Sequence, residues 1–189
     1  MIKLQSLIHK TKLLREATNT TQLEDTAGRL AELLSKDNIP HFIIGGYAVQ
    51  EYGYARTTID IDMIVPNRKL VMDYLSIHGF KEVRGNKMKL IDRSNNVEVD
   101  VLEGGERLNK NSQIPLPIPN QVNDEPNILD LNRLIELKLD AYRTSGNRLQ
   151  DGADVGKLIQ LHNLPFNLYK KLDSSIQTVY IDIWNRYNG

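Results

Sequence analysis

Asp60 and Asp62 stand two residues apart in Thr58–Val65, a stretch that alternates β-branched and acidic residues and reads as a strand. At that spacing both carboxylates leave the same face. Val97–Leu102 repeats the alternation and puts Glu98 and Asp100 on one face. If the two strands lie side by side, three or four carboxylates converge, which is unfavourable away from water unless cations neutralise them. Hard divalent ions with oxygen ligands answer that need, and Mg²⁺ is typically held by a few carboxylates plus substrate phosphates. The plainer alternative is a solvated outer face with Ile59, Ile61 and Met63 turned inward.

Two further features could handle phosphate. Gly45-Gly46 lies between an apolar run, His41–Ile44, and a predicted helix over Tyr47–Tyr52 closed by Gly53. A glycine turn entering a helix offers free N–H groups and suits an anion, although it is also an ordinary tight turn. On a helix over Leu129–Thr144, the ~100° advance per residue groups Leu131, Leu134, Ile135 and Tyr142 on one face. Arg133, Glu136 and Asp140 are then expected on the opposite face, with Lys138 in the middle of the apolar one. Asp151 shares a face with Val155, Leu158 and His162 on the following helix. Buried charges need partners, so Lys138 and Asp151 either bridge the helices, or Asp151 orients Lys138 toward a phosphate. Asp151 acting only as a helix cap is a third reading.

The elements that would position these groups follow from periodicity. Leu4, Leu7, Ile8 and Leu14 predict a first helix, and Thr21–Lys36 a second, with Pro40 just beyond it. Asn67–His78 reads as a helix ending at Gly79, and Lys87–Asp92 and Val97–Leu102 as strands joined by an Arg93–Asn96 turn. Residues 103–127 make a long Pro-rich connection, expected to be functional or mobile. Helices are predicted over Leu129–Thr144, Leu149–His162 and Phe166–Tyr187. The expected class is α+β: N-terminal helices over 1–38, a mixed-sheet core over 39–128, and a helical region over 129–189.

Composition narrows the setting. The 189 residues are 40% hydrophobic and 25% charged, an ordinary globular balance. Twenty-four basic residues match twenty-four acidic ones, so no global field draws the chain onto nucleic acid, and such binding would need a local patch. The basic stretch Arg84, Lys87, Lys89 and Arg93 could meet a polynucleotide acceptor, but a solvated hairpin edge is the favoured reading. With no cysteine, disulfides and thiolate metal sites are excluded. The start has charges within its apolar pattern, unlike a signal peptide, and no run approaches the ~18 apolar residues of a membrane span. A cytoplasmic protein with no membrane partner is expected.

The run GGYAVQEYGYARTTIDID, from Gly45 to Asp62, resembles the signature of the DNA polymerase β-like nucleotidyltransferase superfamily. That signature joins a glycine turn, a short helix, an Asp-x-Asp pair and a third Asp on a neighbouring strand. Arg56 to Asp62 is similar to the bacterial branch that includes AbiEii-type toxins and minimal nucleotidyltransferases. Lys138, Arg143, Asp151 and Asp154 follow that branch's order of a helical Lys, an Arg and paired acids. The resemblance covers roughly residues 40–162.

It implies transfer of a nucleoside monophosphate from an NTP to an acceptor hydroxyl, with release of pyrophosphate. Asp60, Asp62 and Asp100 would be the catalytic and metal-binding acids for two Mg²⁺ ions, with Mn²⁺ able to substitute. Gly45, Gly46, Arg56, Thr57, Thr58, Lys138 and Asp151 would bind the nucleotide. The acceptor would be RNA or tRNA for a toxin-like enzyme, or a small aminoglycoside-type molecule. A non-catalytic nucleotide-binding member is a rival reading, as is a partner-binding module that pairs with an antitoxin or itself through its terminal helices.

Overall fold

The computed structural model describes residues 20–189, so the helix expected over Leu4–Leu14 lies outside the described residues. Five strands, β1 (Phe42–Ile44), β2 (Asp60–Val65), β3 (Phe80–Glu82), β4 (Lys89–Asp92) and β5 (Val97–Glu103), form one mixed sheet in the order β1-β2-β5-β4-β3. β2 and β5 run parallel and every other neighbouring pair is antiparallel. The helices are α1 (Thr20–Lys36), α2 (Gly45–Glu51), α3 (Arg68–Ile77), α4 (Leu131–Thr144), α5 (Leu149–Leu161) and α6 (Gln177–Asn188). The arrangement is α+β, as expected. No helix among the described residues is long and apolar enough to cross a membrane.

The two-residue period of the strands divides the core between the faces of the sheet. Ile61, Met63, Val65, Val99 and Val101 pack with Leu23, Ala27 and Leu30 of α1 and with Val71 and Leu75 of α3. Ile64, of opposite parity, joins Ala48 and Val49 of α2 and the apolar residues of α4, α5 and α6. Full burial of each such aliphatic side chain contributes roughly 1.5–3 kcal/mol. Asp60 and Asp62 share the parity of Ile64, so the acidic face of β2 looks toward α2 and α4, while Ile59 is 73% exposed.

Buried Asp92 ties α1 to the β4–β5 turn. It pairs with Arg29 and accepts hydrogen bonds from Thr26 Oγ1 and from the Ser94 amide, each at 2.9 Å. The turn is of the predicted kind, closed by the left-handed Asn96 (φ 56°).

Four sequence expectations are corrected. β3 was not anticipated, because Phe80 is its single buried side chain and three residues carry no readable period. The helix expected over Phe166–Tyr187 is two 3₁₀ turns, Phe166–Lys171 and Ser174–Ile176, followed by α6. Asp173 explains the break: its carboxylate accepts from the Ser175 amide at 2.9 Å, while its own amide donates to Glu136 Oε1 at 2.8 Å. Such local bonds compete with a continuous helix.

Glu136 and Asp140 are buried rather than on an open face of α4, because the Pro-rich connection and the 3₁₀ segments cover them. Ser112 donates to Asp140, and Arg143 pairs with the same carboxylate at 2.7 Å. The connection is therefore anchored. Ile114 and Leu116 enter the core, and the connection's end runs beside β1, where the Ile43 amide donates to the Asn127 carbonyl at 2.7 Å.

Candidate active site

One rung of the sheet lines up the groups of interest. Ile44 pairs with Asp62, Asp62 with Asp100, and Asp100 with Lys89. Directly opposed residues share a face, and adjacent strands are ~4.8 Å apart, so the two carboxylates meet across neighbouring parallel strands. Asp60 lies two rungs along on the same face, opposite Glu98. Burial, then the charges of Asp60 and Asp100, push the Asp62 carboxyl up to about 6, against the pull of Lys138 and Arg148. Burial also raises the Asp100 carboxyl, and Lys89 opposes that shift. Acids from two β segments, Asp62 and Asp100, thus stand opposite each other.

The glycines make room for this row. Gly45 has φ +68°, a conformation that costs a side-chain-bearing residue roughly 1–2 kcal/mol. A Cβ there would overlap Asp62 Oδ2, and one at Gly46 would overlap Thr58 Oγ1 and the Arg56 guanidinium. α2 begins at Gly45 itself, two residues before the predicted start, so both glycines belong to its first turn. Thr58 Oγ1 donates to Asp60 Oδ1 at 3.1 Å. Thr57 is exposed, and its carbonyl accepts from Arg56 Nη1 at 2.8 Å.

Across the cleft, Lys138 is 5% exposed and bridges Asp151 and Asp154, each at 2.8 Å. The expected Lys138–Asp151 bridge is thus present, with fully buried Asp154 as a second partner. Arg56 Nε lies 3.1 Å from Asp154 Oδ1, which links the loop before β2 to the α4–α5 pair. Gly45, Asp62, Asp100, Lys138 and Asp151 line one cleft of about 270 Å³. Gly46, Arg56, Thr57, Thr58 and Asp60 are not among its lining residues, and of these Arg56 and Thr58 pack against Gly46.

Sequence reasoning missed the apolar wall of this cleft, formed by Leu102, Leu108, Leu134 and Ala141, and Arg148 at its edge. Arg148 stands 3.3 Å from Asp151. Leu134 carried a signal as a member of the apolar stripe of α4, whereas Leu108 sits in the connection and had none. The solvated reading of Lys89 is corrected: it is 20% exposed and pairs with Glu98 and Asp100.

The donor chemistry fits Mg²⁺. All candidate ligands are hard carboxylate oxygens, and burial first, then the charges of Asp60 and Asp100, make an ionised Asp62 unfavourable without a cation beside it. No group of three or more acidic or histidine side chains among the described residues already stands as a preformed ion cage. Thr58 holds one oxygen of Asp60 and Lys89 draws on Asp100.

The fold is nucleotidyltransferase-like. The crystal structure of an antigenic nucleotidyltransferase-like protein from Paracoccidioides brasiliensis resembles it with a TM-score of 0.56 at 18% identity, over 89% of each chain. The solution structure of the antibiotic-resistance factor ANT(2'')-Ia aligns over 89% of this chain and 93% of that one, at 12% identity and a TM-score of 0.48. No family model and no curated protein matches the sequence.

Proposed function

We propose that the protein is a metal-dependent nucleotidyltransferase that moves a nucleoside monophosphate from an NTP to an acceptor hydroxyl and releases pyrophosphate. The observation that carries this reading is Asp62 facing Asp100 across parallel strands, in one cleft with Gly45, Lys138 and Asp151. Asp60, Asp62 and Asp100 would hold Mg²⁺, or Mn²⁺ in its place. When bound, the ions supply charge neutralisation at the attacking and leaving oxygens. Lys138 would meet phosphate charge, and its hydrogen bonds to Asp151 and Asp154 support this by holding it in the wall of the cleft. Gly45 lets Asp62 sit close against the first turn of α2 at the wall of the cleft, and the Leu102–Leu134 wall offers an apolar surface for the base. Asp100 would also accept the acceptor's proton.

Resemblance of Arg56–Asp62 to the AbiEii-type branch supports RNA, tRNA above all, as the acceptor, while the zero net charge disfavours a broad RNA surface. The protein is incubated with Mg²⁺, α-labelled NTPs and separate pools of total RNA, protein and small molecules. Label entering RNA with the wild type and lost with Asp60→Ala supports the reading. Label entering an aminoglycoside-type small molecule moves the acceptor class. NTP-induced thermal stabilisation without any labelled product makes the protein a nucleotide binder and overturns the enzymatic assignment.

A further inference from the structure

Lys89 ends the row that carries Asp62 and Asp100. Antiparallel pairing of β4 with β5 sets it directly opposite Asp100. Its Nζ donates to Glu98 Oε2 at 2.6 Å and lies 3.5 Å from Asp100 Oδ2, with the side chain only 20% exposed. The ammonium is therefore shared: hydrogen-bonded to Glu98, and electrostatically engaged with the third acid of the proposed site. Glu98 and Asp100 are two apart on one strand, so both carboxylates lie on the face that Lys89 occupies. A single positive charge between them limits their mutual repulsion while no other cation is present.

An ammonium and a divalent ion compete for the same carboxylate, since each raises the electrostatic cost of placing the other beside it. We propose that Lys89 is a positioning residue of the site: its ammonium attends Asp100 until a divalent cation takes that carboxylate, and Glu98 is the partner that then retains Lys89. This rests on the metal-dependent reading above. Three features support it. Glu98 already makes the shorter of the two contacts, it stays within reach without backbone movement, and its carboxylate is 46% exposed and so able to hold a lysine at the rim of the site.

The account is tested by calorimetric titration of the full chain with Mn²⁺ in the absence of nucleotide, across two double-mutant cycles. Lys89→Met is expected to tighten Mn²⁺ binding about fivefold when Asp100 is present, and less than about twofold in an Asp100→Asn background. Glu98→Gln is expected to weaken binding about threefold with Lys89 present, and to have no effect in Lys89→Met. Lys89→Arg, which keeps the charge, should stay within about twofold of the wild type. Thermal unfolding establishes that each variant is folded. If Lys89→Met does not fold, the Glu98→Gln measurement in wild type and in Lys89→Arg decides, and unchanged or tighter binding there overturns the proposal. Equal effects in the presence and absence of Asp100 also overturn it, because they would show only a diffuse field. Failure of the metal-dependent reading is distinguishable: the wild type then takes up no Mn²⁺, even with a non-hydrolysable NTP analogue.

Discussion

The Asp62 carboxylate lies against the bare Cα of Gly45, at a point where any side chain would overlap it. Two independent demands meet at that glycine, a left-handed φ and the close approach of an acid. Gly45→Ala is therefore expected to destabilise the fold by about 2 kcal/mol or more, counting backbone strain and displacement of Asp62 together. Urea unfolding measures it. A loss well under about 1 kcal/mol would show that neither constraint operates.

Asp62 also makes stability depend on pH. Its carboxyl is raised from 3.8 to about 6, so the folded state holds the proton more tightly than the unfolded chain does. The stabilisation from the protonated form is fully present below about pH 4 and is lost as pH rises through 6, with an upper size of about 3 kcal/mol. Asp62→Asn should match the wild type near pH 4 and exceed its stability increasingly by pH 7.5, in metal-free buffer. A wild-type–variant difference independent of pH would contradict the electrostatic origin.

Lys138 neutralises two acids, one of them fully buried. Its removal leaves Asp154 with only Arg56 and Gln150 nearby. Lys138→Met is predicted to cost about 3–5 kcal/mol, and Asp151→Asn distinctly less, because Lys138 keeps Asp154. Thermal unfolding of both variants checks the order. Equal losses would mean that the bridge to Asp154 contributes nothing of its own.

Ser112 and Arg143 converge on Asp140, the point where the Pro-rich connection is fastened to α4. Asp140→Ala should release residues 103–127 without unfolding the sheet. Hydrogen exchange would show amides such as Leu116 and Gly105 losing protection while β2 and β5 keep theirs. Uniform loss across the sheet would place Asp140 in the global core instead.

These residues also show what the sequence made legible. That Asp60 and Asp62 share one face, and Glu98 and Asp100 another, was legible because strand parity sorts side chains without knowledge of neighbours, whereas parity alone did not separate Asp100 from Glu98. Lys138 announced itself as a charge inside an apolar stripe. Asp140 did not, because its burial is imposed by a connection 28 residues away from it at Ser112. Lys89 is hidden for the same reason: a basic residue on a hairpin looks solvated until the β4–β5 register sets it opposite Asp100. The final helix looked continuous because the Asp173–Glu136 contact that breaks it is long-range. Local pattern carried the faces of the acids, and tertiary contacts decided their counter-charges.

The most direct measurement compares NTPs labelled at the α- and γ-phosphates, with Mg²⁺ and total RNA, for the wild type and Asp62→Asn. The wild type is expected to place α-label on the acceptor and release γ-label in pyrophosphate, both abolished in an Asp62→Asn variant that remains folded. Transfer of γ-label to the acceptor, or undiminished α-label transfer by Asp62→Asn, would contradict the nucleotidyltransferase reading.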